Sequence, residues 1–539
     1  MHTSCARSPE SYTIRSETVL DERPGSSRPG QTAGMNPAAR FILLLLVGGT
    51  LAFLFFYKLG DRDLWSSHEA RAGQNAQTIL RTGDWGLPAL FDGRPDLQKP
   101  PLYYWLVAYI AHLRGSDVDA WAVRLPAALA ALAGVLGVGG FLTLRGRPLA
   151  GLIAGLTLAT ALHWTWLARV GRIDMPLSLT VGVALMGFYL AARRAGGVSP
   201  LRDVEATDRS LALRGLTPPA RLCLLVAYLA IAAGVMLKGP VGAVLPLAVL
   251  VCYAGVTRRW EMLRSLVWGL PLVLAVTLPW FWWVNEQTQG EFFRVFFWHH
   301  NLERGLGSAD NLKVHPWWYY GPRWFVDFLP WSPLVLLAGW SLYRRGWQSD
   351  EEARFGLVWL AVIVLVLSCA GFKRSDYLLP AYPGAALLLG CGAERWYRTS
   401  ARPQRLAVGF GAVVLACVVG WAVTLHHVLP QHEPQREQAT FAAAIRRHAP
   451  APEHVRFFRA EAHSLAFHLG WPLDTFLEWE NLDIWAGRPG VHYIVMPPDC
   501  AAEWQTHVAS GRLVEVLRNT DLAGGSHEAP LVLMRTVKP

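Results

Sequence analysis

The sequence predicts an α-helical polytopic membrane protein of about 11 to 13 transmembrane helices with a C-terminal α/β domain outside the membrane. Three observations carry that expectation. Apolar residues make up 52% of the 539 residues and charged residues only 17%, a balance foreign to a soluble chain of several charged-surface domains. The apolar residues gather in blocks of about 17–25, the length that crosses a bilayer as helix. After Leu425 the blocks give way to short alternating runs.

Residues 1–36 are polar and rich in Ser, Gly, Pro and Arg, without the apolar core of a cleaved signal. They are expected to form a disordered cytoplasmic tail, with Met35 as an alternative start. The apolar blocks then run over Phe41–Tyr57, Ala122–Leu144, Leu149–Leu167, Pro176–Ala192, Leu222–Leu237, Val241–Val256, Leu266–Val284, Phe325–Tyr343, Phe355–Ala370, Tyr377–Cys391 and Leu406–Leu425. Leu102–Leu113 is shorter, either a span or a piece lying against the membrane. Together they define a transmembrane region over residues 37–428.

Simple alternation puts Arg145, Arg147, the Arg193–Arg221 loop, Arg258, Arg259, Arg344, Arg345 and Arg395–Arg405 on one side, expected to be the cytoplasm. The net charge of +10 is therefore a topology signal and does not point to nucleic acid. Seven scattered Cys with no CxxC spacing support neither a disulfide framework nor a Cys-based metal site.

Two external loops, residues 59–101 and 285–323, are too long to be mere connections. The first holds a helix expected over Ser67–Arg81; the second is dense in aromatic residues, which argues against disorder. Residues 429–539 are expected to form an α/β domain on the outer face. "HVRFF", "VHYIVMP", "RLVEVLR" and "PLVLMRTV" read as strands, and "EQATFAAAIRRHA" has helical periodicity.

Ionisable groups beside spans are costly and are usually paired or functional. Here they collect at the outer level: Arg169, Arg172 and Asp174; Lys238; Lys373, Arg374 and Asp376; and His299, His300, Glu303 and Arg304 at the mouth of the second loop. Cations there suit a lipid-linked phosphate, and a carboxylate among them suits a general base. In "SSHEARAGQN", Ser66 and Glu69 have capping-box spacing, and His68, Arg71 and Asn75 share one helical face.

These stretches resemble the GT-C membrane glycosyltransferases of the protein O-mannosyltransferase and lipid A aminoarabinose transferase type. The resemblance rests on "LWSSHEARAGQNAQTILRTGDWGLPALFDGRPDLQKPPLYYWLVA", "ARVGRIDMP", "LKGPVG", "HHNLERGLG…HPWWYYGPRWFVDFLPWSP" and "FKRSDYLLPAYP", in order from Phe41 to Cys391. It implies transfer of a sugar from a polyprenyl-phosphate donor to a lipid, glycan or protein acceptor on the outer face, with inversion at the anomeric carbon. Glu69 and Asp174 match the family's acidic residues. Lys99, Lys238, Arg304, Lys373 and Arg374 match its phosphate and carrier contacts, and Tyr377 matches the aromatic after the last motif. With Arg71, Arg172 and His300 these form the expected substrate-binding set.

Two positions depart from the family. His68 stands where relatives keep an aspartate and joins Glu69 and Asp174 as a catalytic candidate. Gln98 replaces an acidic residue that holds a metal in one branch, and is a poor ligand for a divalent ion. A metal requirement therefore stays open, with His68, Glu69, His299 and His300 as the available ligands. Two alternatives accompany the transferase. A lipid or glycan transporter would show repeated halves with broken helices at mid-membrane, and no internal repeat is visible. A non-catalytic member that binds the lipid-linked sugar is the other, supported by His68.

Overall fold

The computed structural model describes residues 36–195, 218–303, 314–460 and 462–537. The chain divides after Gly49 into a short N-terminal unit and a main unit, Thr50–Pro539. The expected tail lies outside the described residues, apart from Asn36. Ten helices open the chain: α1 Pro37–Phe56, α2 Ser67–Thr82, α3 Leu102–Arg114, α4 Ala120–Leu144, α5 Pro148–Thr160, α6 Leu162–Ala168, α7 Asp174–Ala195, α8 Pro218–Lys238, α9 Val241–Thr257 and α10 Leu266–Gln287.

Among the described residues six helices are long and apolar enough to cross a membrane, and two bent pairs raise the number to eight. The remaining expected spans do form helices, but α9 is only 17 residues long and Glu351–Ser368 opens on two glutamates. The short block becomes α3, whose 13 residues reach only about 20 Å. It lies packed between α2 and α4 through Tyr103, Val107 and Ala111 and adds no crossing of its own.

Small residues let the spans approach closely, as Ala128, Ala131, Ala150 and Ala154 do where α4 meets α5. The two bent pairs explain each other. The α5–α6 pair turns by 68° at Ala161, and Trp317–Asp327 with Ser332–Arg344 turns by 110°. At the breaks, Leu162 N donates to Leu329 O (2.9 Å) and Trp331 Nε1 to Thr160 Oγ1 (2.9 Å), so polar groups freed by one break are satisfied at the other.

The charged residues sort to two ends. At one, Arg145 meets Glu352 (3.0 Å), Arg147 meets Asp350 (2.8 Å) and Glu394 (2.7 Å), and Arg193 and Arg259 both hold Glu351. The other end begins with Asp174. Helix α7 connects them, about 30 Å apart.

The C-terminal sheet has five strands: β1 Val455–Phe458, β2 Thr475–Phe476, β3 Tyr493–Met496, β4 Arg512–Arg518 and β5 Val532–Val537. Their order is β2-β1-β3-β5-β4, parallel through β2, β1 and β3 and antiparallel beyond. Alternation splits the buried side chains between two faces. Val455, Phe457, Val495 and Leu533 pack with helices Ala439–His448 and His463–Leu469, while Phe458, Ile494, Met496 and Val532 pack with helix Trp479–Ala486.

This domain is fastened to the first external loop. Asp63 accepts from His468 Nε2 (2.6 Å) and Gln438 N (2.8 Å), and Gln74 Nε2 donates to His463 O (2.9 Å). Phe467 lies so close to Gly73 that a Cβ there would stand 2.7 Å from its ring, which is why α2 carries a glycine at this contact.

Candidate active site

Helix α2 starts as its sequence suggests: Ser66 caps it, its hydroxyl accepting from Glu69 N (3.2 Å). The other half of the capping box does not form. Glu69 instead turns inward to Arg124, accepting from its Nε at 2.8 Å and from Gly171 N at 3.0 Å, with Arg62 Nη1 at 3.6 Å. The rest of the Arg124 guanidinium is spent on the carbonyls of Leu59, Arg62 and Asp63, so this pair locks the first loop onto α4. Burial opposes the Glu69 charge, but Arg124 and Arg62 outweigh it and hold the carboxyl below its usual range. Glu69 is 1% exposed and absent from the cavity wall. Its Oε1 is claimed by Arg124 and Gly171, while Oε2 lies 3.6 Å from Arg62 Nη1 and has no hydrogen-bond partner among the described residues.

One residue away the same turn faces a narrow cavity lined by His68, Arg71, Gln98, Lys99, Arg172 and Asp174. Arg71 reaches Asp96 at 2.6 Å, and Asn75 Nδ2 donates to the other oxygen of Asp96 at 2.9 Å. With its amide oxygen turned to Arg71, Gln98 sits 2.9 Å from Nη1. Arg172 is paired with Asp376, and Lys238 with Asp174 at 2.5 Å. Arg374 lies 3.5 Å from Asp376, and its Nη1 donates to His68 Nε2 at 3.2 Å. Lys99 alone among these cations makes no ion pair or hydrogen bond among the described residues.

Five cations (Arg71, Lys99, Arg172, Lys238, Arg374) thus meet three carboxylates (Asp96, Asp174, Asp376), an excess of two positive charges. The excess is visible in the titrating groups. Burial first, then Lys99, Arg172, Arg374 and Arg71, push His68 down to about 2, so its imidazole is neutral at any physiological pH. Burial lowers Lys99 to about 8; Asp174 opposes this, while Lys238 and Arg172 add to it. For Asp96, burial favours protonation but Arg71 and Asn75 prevail, and its carboxyl stays below the usual range.

Lys99, Gln98 and Asp174 also border a second, larger cleft whose far walls are apolar, including Leu177, Val241, Leu245 and Phe296. Two structural details shape it. The segment Phe293–Glu303 is a π-helix, a rare form enriched at functional sites. Gly239, in "LKGP", takes a left-handed φ of 76°, and the Phe296 ring occupies the space a Cβ would need. His300 lines this cleft, and the Tyr377 ring lies beneath Lys238 Nζ, 3.8 Å from its centroid.

The remaining candidates separate. Arg304 lies outside the described residues. Lys373, expected at a phosphate, is buried and donates to the carbonyls of His315 (3.1 Å) and Ala370; it fastens the 370s turn and borders neither cavity. His299 is bonded to Glu303 at 2.7 Å. Among the described residues no three His, Cys, Asp or Glu side chains converge as metal ligands.

Sequence reasoning missed Asp96, Arg124 and His163. His163 lies at the α5–α6 break, 3.5 Å from both Asp376 and Asp327 and 2.9 Å from Tyr382 Oη. A charged or imidazole group inside an apolar block was the one signal that marked Arg124 and His163. Asp96 carried none.

Comparison with known proteins agrees with this architecture. The dolichyl-phosphate-mannose-protein mannosyltransferase family model matches residues 98–197. An undecaprenyl phosphate-alpha-4-amino-4-deoxy-L-arabinose arabinosyl transferase of Aeromonas salmonicida is 30% identical over 395 residues, 70% of this chain and 66% of the relative. A relative of the same description from Pseudomonas fluorescens is 27% identical over 379 residues, 68% of this chain and 61% of the relative. The chain thus spans less than two thirds of the length of these relatives. The crystal structure of ArnT from Cupriavidus metallidurans bound to undecaprenyl phosphate superposes with a TM-score of 0.72 at 20% identity, covering 92% of this chain and 98% of that one. In sequence the chain is thus similar to these arabinosyl transferases, and it shares the fold of the ArnT structure.

Proposed function

We propose that the chain transfers a sugar from a polyprenyl-phosphate carrier to an acceptor on the outer face of the membrane. The observation that carries this reading is the passage from an apolar cleft into a cavity with two unbalanced positive charges, with Lys99 at the join. The isoprenoid chain would lie along Leu177, Val241 and Leu245, its phosphate at Lys99, Lys238 and Arg172, and the sugar in the cavity. The relatives described as undecaprenyl-phosphate-dependent transferases support the donor class.

In the transfer an acceptor oxygen attacks the anomeric carbon from the face opposite the carrier, with inversion. The bond from that carbon to the phosphate oxygen breaks, and the electron pair leaves with the polyprenyl phosphate. Preorganised cations stabilise that departing charge without reorganising. Among the described residues the surroundings offer no strong base. His68 is too weakly basic and accepts at Nε2 from Arg374, Asp96 is held low by its partners, and Asp174 is engaged with Lys238. The arrangement therefore favours an acceptor whose attacking oxygen is already ionised.

His68→Ala should cost less than about tenfold in rate and leave the pH profile between 5 and 8 unchanged, because His68 does not titrate there. His68→Asp should raise the donor KM, since a new carboxylate competes with the phosphate for Lys99 and Arg172. A pH profile that loses a limb in His68→Ala would refute this role. The cation-rich wall also repels a dication, so activity should survive a chelator.

The reading as a whole is tested by deleting the gene and profiling lipid-linked sugars and envelope glycans by mass spectrometry. One polyprenyl-phosphate sugar should accumulate and one glycan modification should vanish. Unchanged profiles, with the purified protein failing to release polyprenyl phosphate from any lipid-linked sugar, would sink it.

A further inference from the structure

We infer that the C-terminal domain holds a binding site for an anionic saccharide, in the crevice where its parallel sheet changes direction. The inference rests on the transfer proposed above and assigns the place of the acceptor's sugar portion. Chain order sets the crevice. From β1 the chain moves outward to β2, then returns past β1 to form β3 on its other side. The helices of these two connections cover opposite faces, so the carboxyl ends of β1 and β3 part and leave a gap between them. In open α/β sheets ligands bind at this kind of switch point.

A cleft lies there, bordered by Arg459 and Ala460 after β1 and by Pro497 after β3. Three features suit a charged sugar. Arg459 makes no ion pair among the described residues; its guanidinium lies over Phe458 and Trp479, at 5.1 and 5.5 Å, with Nε bonded to Leu477 O. The same residue holds a left-handed φ of 48°, a strained backbone of the kind that collects at ligand sites. Gln438 lines the cleft, is 5% exposed, and its amide oxygen has no partner among the described residues, an acceptor suited to a sugar hydroxyl.

The cleft is also coupled to the reaction centre. Trp65 and Ser67 form its opposite edge, and the next residue, His68, lines the catalytic cavity. Asp63, bonded to both His468 and Gln438 N, holds the two in fixed relation. A saccharide seated at Arg459 and Gln438 is thereby presented beside Ser67, whose neighbour His68 lines the catalytic cavity.

The test uses the full chain in lipid nanodiscs and N-acetylglucosamine 1-phosphate as probe, with unphosphorylated N-acetylglucosamine as control. Saturation-transfer NMR should show the phosphorylated sugar bound about tenfold tighter than the control, and Arg459→Ala and Gln438→Met should each weaken it by about fivefold or more. Undecaprenyl phosphate binding should be unchanged in both variants. Probe binding that ignores both substitutions, or that is equal for the two sugars, overturns the saccharide site. Undecaprenyl phosphate titrated separately reports on the donor cleft, and its failure to bind the unmodified protein overturns the transfer reading instead.

Discussion

Lys99→Met is expected to lower kcat/KM for sugar transfer by about 100- to 1000-fold, the usual cost of removing one preorganised group from a developing negative charge. The other four cations of the site are each engaged by a carboxylate, so their charge is partly spent before substrate arrives. Lys99 borders both cavities and pairs with no carboxylate among the described residues. Its pKa of about 8 adds a signature. The ammonium is charged below that value and loses its proton as pH rises through it, so the unmodified protein should lose activity on the alkaline side. Lys99→Arg, charged throughout, should erase that alkaline limb even where its absolute rate is lower. Steady-state kinetics from pH 6 to 10 on the three proteins decide the matter. A Lys99→Met variant within a few-fold of the parent would refute the assignment.

Glu69→Gln is expected to act on folding before it acts on chemistry. The substitution leaves Arg124, fully enclosed, and Arg62, nearly so, without the carboxylate that balances them. Removing one partner of a buried pair costs about 3–5 kcal/mol, because the other charge stays buried and uncompensated. The yield of folded protein and its thermal midpoint should fall sharply. Arg124→Met added to Glu69→Gln should recover part of the loss, since it removes the stranded charge. A Glu69→Gln protein that is fully stable yet inactive would return Glu69 to the reaction itself.

These two residues show what was legible in the chain. The family motifs pointed to both, and position along the sequence could not rank them. Lys99 and Glu69 each sit in polar surroundings of the first external loop, and nothing local says that one faces the cavity while the other faces Arg124, 55 residues later. Lys373 and Arg374 make the same point more sharply. Neighbours in one motif, they diverge, Lys373 to backbone carbonyls and Arg374 to His68 and Asp376.

By itself the sequence determined the membrane class, the helical blocks, the four longer C-terminal strands and the end of the molecule where charge collects. Those properties depend on local composition and periodicity, which a bilayer or a sheet face reads directly. The two-residue strand β2 escaped, being too short to show alternation. Only the tertiary structure decided which spans break and which of several carboxylates are consumed by arginines. It alone decided that α3 packs between α2 and α4, and that a domain more than 350 residues away closes on the loop leading into α2. Each of these outcomes turns on which distant group satisfies a buried charge or a freed backbone amide. That competition is settled in space, between residues whose separation along the chain carries no record of it.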